Sequence, residues 1–125
     1  MIKKGWTAIA LNRESIAWKG RRACRNETLL PRDTRCEVVS SRRNRWGSLN
    51  VRASIDGVVY TLSWKDWSFT PIRVGELRQW KDDREPPFIV LGIDSFGCHC
   101  MSPVTHFKTT LTYLEDNTVV ISEAR

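Results

Sequence analysis

Leu49-Asn50-Val51-Arg52-Ala53-Ser54-Ile55-Asp56-Gly57-Val58-Val59-Tyr60-Thr61-Leu62-Ser63-Trp64 decides the class of this fold. Its first seven residues place Leu49, Val51, Ala53 and Ile55 on one face and Asn50, Arg52 and Ser54 on the other. That is the pattern of a strand with one wet side. Asp56-Gly57 supplies the two positive φ angles of a tight hairpin, and Val58 to Trp64 returns as a strand rich in β-branched and aromatic residues.

The same alternation extends in both directions. Trp6 to Leu11 and Arg35 to Ser40 read as earlier strands. After Pro71, strands are expected at Gly75–Trp80, Phe88–Ile93, Phe96–Met101, Thr109–Leu114 and Thr118–Ser122, with Glu115-Asp116-Asn117 as the last turn. Helical periodicity is nearly absent, so the chain reads as all-β. Five short strands in about 55 residues is the rhythm of a small barrel.

Both halves close on one phrase. Leu49 to Tyr60 and Leu111 to Ile121 each read strand, turn, strand. With Leu30-Pro31-Arg32-Asp33 ahead of a strand in the first half and Gly75-Glu76-Leu77 opening the second, the chain resembles the SH3-like small barrel of the Tudor and KOW kind. The resemblance implies two such barrels in tandem, residues 1–70 and 71–125, with a single β-sandwich as the alternative. The first barrel departs from the pattern by an insertion near 16–34, which the sequence leaves unassigned. SH3-like barrels bind peptides, modified tails or nucleic acid, so the resemblance alone does not choose a ligand. Domains of ~60 residues are marginal alone, which makes a packed pair the expectation, with some tryptophans at the seam.

Charge divides at the same point. The 125 residues carry a net +6, but residues 1–70 hold 14 Lys/Arg against six Asp/Glu, a net +8, while residues 71–125 hold six against eight, a net −2. A one-signed half attracts a polyanion over long range. The apolar runs stop at four or five residues, well short of the ~20 of a membrane helix, so no membrane partner is expected. The N-terminus shows no secretory signal, and a cytoplasmic protein is the expectation.

Two basic clusters stand out. Arg42-Arg43-Asn44-Arg45-Trp46 lies between strands and should form a projecting hairpin loop; Lys19, Arg21, Arg22 and Arg25 lie in the insertion. Guanidinium groups bind phosphate in a bidentate fork, and an indole offers a π face to an unpaired base. The expected function is therefore non-enzymatic binding of DNA or RNA, with the acidic half as support or as a protein-docking surface. The alternative is a protein–protein interaction module, such as a phage or mobile-element inhibitor of a host nucleoprotein, for instance a defence nuclease.

Catalytic and metal chemistry find no pattern. Two histidines, His99 and His106, stand without a serine elbow, a Gly-rich phosphate loop or a His-x-Glu pair. Cys98-His99-Cys100 puts the two thiols on one side of a strand and the imidazole on the other, and Cys24 and Cys36 are separated by eleven intervening residues. Buried thiols are expected, with no cofactor and no metal. Trp64-Lys65-Asp66-Trp67-Ser68-Phe69 is read as a turn whose aromatics serve the core or the seam.

Overall fold

Asp56 and Gly57 both take positive φ, 50° and 80°. Ile55 therefore pairs directly with Val58 across a two-residue loop, as the sequence predicts. The structure is a computed structural model that describes residues 2–19, 27–43, 45–82 and 84–122. Its class is all-β, with two antiparallel sheets and one short helix among the described residues. The chain divides into two compact units, Met1–Pro71 and Ile72–Arg125. Among the described residues, no helix is long and apolar enough to cross a membrane.

Among the described residues, the first unit holds seven strands: β1 (Thr7–Ala10), β2 (Ser15–Lys19), β3 (Glu27–Leu30), β4 (Arg35–Arg43), β5 (Leu49–Ile55), β6 (Val58–Leu62) and β7 (Trp67–Thr70). Their order across the sheet is β3-β2-β6-β5-β4-β1-β7. This sheet is curled. Edge strand β7 returns to β2, near the opposite edge, where the Trp67 indole N–H donates to the Ile16 carbonyl at 3.0 Å. The Ile16 N–H donates to Asp66 Oδ2 at 2.8 Å, and Asn12 Nδ2 to Asp66 Oδ1 at 2.9 Å.

Small side chains permit the curl. Ala8, Ala10, Ala17 and Ala53 share the inner face with Cys36, Val38, Val51 and Leu62, and buried Trp67 fills the space they leave. A tight half-barrel has room for few large inward residues, so alanine on neighbouring strands around one tryptophan is a volume solution.

The second unit holds β8 (Leu77–Trp80), β9 (Phe88–Asp94), β10 (Gly97–Met101), β11 (His106–Thr109), helix α1 (Leu111–Asn117) and β12 (Thr118–Ser122), with sheet order β11-β10-β9-β8-β12. Trp80, Phe88, Phe107 and Tyr113 pack with centroids 5.2 to 5.9 Å apart. Gly97 has φ 146°, and a Cβ there would be driven into the Thr109 carbonyl, so the β9–β10 turn requires glycine.

A buried ion pair sits inside this unit. Arg78 Nη1 lies 3.1 Å from Glu76 Oε1, with side chains 6% and 5% exposed. Arg78 Nε also donates to Thr118 Oγ1 at 2.8 Å, and Glu76 Oε1 accepts the Arg73 N–H at 2.6 Å. Each charge thus has the further bonds that a desolvated ion needs.

Three sequence expectations are corrected. Thr109–Leu114 is not a strand, and Glu115-Asp116-Asn117 is not a turn: the strand is β11, and Leu111–Asn117 is helical. Thr110 caps the helix by accepting the Tyr113 N–H at 3.2 Å, and Leu114 is its one buried residue. The strand-turn-strand phrase shared by the two halves therefore fails in the second. The 16–34 stretch supplies β2 and β3, and Trp67 begins a full strand on β1.

Candidate functional site

Strand β4 is longer than the sequence suggests, and it carries Arg42 and Arg43 in the ladder rather than in the loop. Arg42 pairs with Asn50 and Arg43 with Leu49. A bulge between Val38 and Ser40 decides which way they face. Plain alternation from Cys36 and Val38 would turn Arg42 inward. The extra residue reverses the side, so that Ser41 lies opposite core residue Val51 and Arg42 joins the outer face.

Arg45 to Ser48 are the described part of the tip. Gly47, at φ 81°, turns the chain, and its carbonyl accepts Arg43 Nη1 at 2.9 Å. Arg45 Cζ stands 4.3 Å from the centroid of Trp46, which is 75% exposed. Such a contact contributes roughly 0.5–1 kcal/mol at an exposed site, enough to bias the indole's orientation. Among the described residues the ion pairs are Arg78–Glu76 and Lys108–Asp94, with His99 hydrogen-bonded to Asp94, so none involves Arg42, Arg43 or Arg45. The tip's positive charge is not cancelled by carboxylates of the described residues.

Two neighbours were missed by sequence reasoning. Arg52, opposite Ser40, shares the outer face with Arg42 as its diagonal partner, roughly 7–8 Å away. The alternation that puts Asn50, Arg52 and Ser54 on the wet side was the signal for it. Trp64 is the second. Leu62 pairs with Val51, so β6 ends near Leu49 and the turn after it leaves the sheet on the side of the tip. Trp64 is 61% exposed there, with Lys65 Nζ 5.7 Å from its ring centroid. Trp67, three residues on, is core.

Lys19 is not brought to the tip. It pairs with Tyr60, which pairs with Ala53, three residues along β5 from Asn50. Strands β2 and β5 run the same way, so the chain at Lys19 heads for the Asp56-Gly57 end. The offset is about 10 Å along the strands and three strand spacings across. Arg21, Arg22 and Arg25 lie outside the described residues.

The described cysteines are buried thiols. Burial pushes the Cys36 thiol up to about 12. Cys98 and Cys100 Sγ lie 3.6 Å apart. That Sγ–Sγ contact and burial raise Cys98, while the same contact, helped by the Arg78 charge, lowers Cys100 against its burial. No group of three or more potential metal ligands occurs among the described residues. A Cys24→Ser protein should therefore resist dithionitrobenzoate under native conditions, reacting at least ~100-fold more slowly than when unfolded. Rapid release of thionitrobenzoate would contradict this burial.

On the β9–β10 hairpin, Asp94 Oδ2 lies 2.9 Å from His99 Nε2 and 3.4 Å from Lys108 Nζ. Burial alone would raise this carboxyl. The hydrogen bonds from His99 and the Phe96 N–H, together with the Lys108 charge, outweigh burial and hold it below the ordinary aspartate value. A depressed folded-state value means that the stabilisation is whole above about pH 4 and is lost as pH falls through that lower value. Asp94→Asn should lower stability by about 0.5 kcal/mol at neutral pH, and the difference should vanish in acid. Melting curves of both proteins across that range test this.

Together these observations describe a basic, aromatic hairpin end on the first unit. Compared with protein-family models, curated proteins and solved structures, the chain has no match in any of the three.

Proposed function

We propose that this protein is a non-enzymatic nucleic-acid-binding protein that contacts DNA or RNA with the end of the β4–β5 ribbon, through Arg42, Arg43, Arg45 and Trp46. The observation that carries the reading is the tip itself: three exposed guanidiniums without an ion-pair partner among the described residues, beside a projecting indole. Arg52 extends the outer face that carries Arg42. Lys19 stands apart, so a role for it would be long-range attraction only.

Physics favours this ligand for such a surface. Exposed arginines exchange a counterion atmosphere for phosphate, and the released ions drive association. The +8 balance of residues 1–70 adds attraction at a distance. The curled half-barrel sheet is compatible with a small barrel fold, which supports the reading but does not choose its ligand.

The test is a polarisation titration of labelled DNA and RNA oligonucleotides at ~50 and ~200 mM salt. Four phosphate contacts predict a log–log slope of roughly −3 on single strands. Affinity that is absent at the lower salt, or insensitive to salt, would overturn the reading.

A further inference from the structure

The end of the first unit that carries the tip presents two exposed indoles, on the β4–β5 and β6–β7 connections. Each has a cation over its ring: Arg45 at 4.3 Å from Trp46 and Lys65 at 5.7 Å from Trp64. They are 75% and 61% exposed, while Trp67, from the same short stretch as Trp64, is 3% exposed in the core. The fold thus buries one tryptophan and leaves its neighbour out. Arg42 and Arg43 lie in the last ladder pairs beside these connections, opposite Asn50 and Leu49.

We infer that this end is selective for single-stranded nucleic acid, with unpaired bases stacking on Trp46 and Trp64 while Arg42, Arg43 and Arg52 hold the phosphates. The inference rests on the nucleic-acid reading above and narrows it. In a duplex the base faces are already stacked on one another, leaving phosphates and base edges to be touched. An indole has one N–H to offer an edge, but a broad π face to offer an exposed base. Two such faces, each already carrying a cation on its ring, supply stacking and positive charge together. A surface specialised for duplex phosphate would gain from the arginines and little from the indoles.

The experiment compares one 12-nucleotide single strand with its duplex against the wild-type protein, Trp46→Ala, Trp64→Ala, the double variant and Trp46→Phe. The wild type should prefer the single strand at least ~10-fold. Trp46→Ala should weaken single-strand binding by about 5- to 100-fold and duplex binding less than about twofold, with Trp46→Phe near wild type. The double variant should lose the preference. Both indoles are exposed, so melting temperatures should stay near wild type and exclude misfolding as the cause. Equal affinity for strand and duplex, or alanine variants that bind the single strand like wild type, would overturn the inference while leaving the arginine contact standing. Absence of binding to either form would remove the broader reading as well.

Discussion

Replacing Arg42, Arg43 and Arg45 together with alanine should weaken nucleic-acid binding at least ~100-fold near ~0.1 M salt and flatten the salt slope by about two to three. The three act as one unit. Arg42 is turned outward by the β4 bulge, Arg43 is steadied by the Gly47 carbonyl, and Arg45 lies over Trp46. All three are exposed, and none forms an ion pair among the described residues. The same substitutions should therefore change folding stability by less than about 1 kcal/mol. Polarisation titrations beside thermal melts separate the two quantities. A triple variant that binds as wild type does would place the contact elsewhere.

Arg78→Met should destabilise the second unit by about 3–5 kcal/mol. The substitution leaves Glu76, 5% exposed, with a buried charge and only the Arg73 N–H for support. It also strips the Thr118 hydroxyl of the donor at 2.8 Å that ties β8 to β12. Removing both charges should cost less than removing one, because an apolar pair leaves no orphaned ion. Glu76→Leu/Arg78→Met is thus expected to be more stable than Arg78→Met alone. Denaturant titration of the three proteins completes the cycle. A single variant within about 1 kcal/mol of wild type would show that the ion pair is not holding this core.

Much of the architecture could be read from local pattern, for a physical reason. Strand alternation and an Asp-Gly turn are encoded within a few residues, so β5 and β6, and the outward position of Arg52, follow from residues 49–62 alone. What escaped depends on partners far along the chain or on signals too short to repeat. Helix α1 buries only Leu114, and one apolar residue cannot display a 3.6-residue period. Its Thr110 cap was the legible cue. The closure of the first sheet joins Trp67 to Ile16, 51 residues away, through an indole and a carbonyl, and no local pattern announces it. Nor does alternation reveal that Arg78 faces inward, because that is tolerable only beside Glu76 and Thr118.

The candidate site shows the same division. Its location between two strands and its composition were visible as a run of arginines ending in tryptophan. Its geometry was not. One bulged residue between Val38 and Ser40 selects the face that receives Arg42, and the direction of β2 carries Lys19 away from the tip although both clusters are equally basic in sequence. Trp64 and Trp67 share one short aromatic stretch, and only the pairing of β7 with β1 separates the exposed ring from the buried one.

Amide chemical-shift mapping of the 125-residue chain, with a single-stranded oligonucleotide added at low salt, reads the contact surface residue by residue. The largest perturbations should fall on residues 42–52 and on Trp64-Lys65, with the Trp46 indole N–H among the most shifted. Perturbations confined to residues 72–125, or none at any ratio of oligonucleotide to protein, would contradict it.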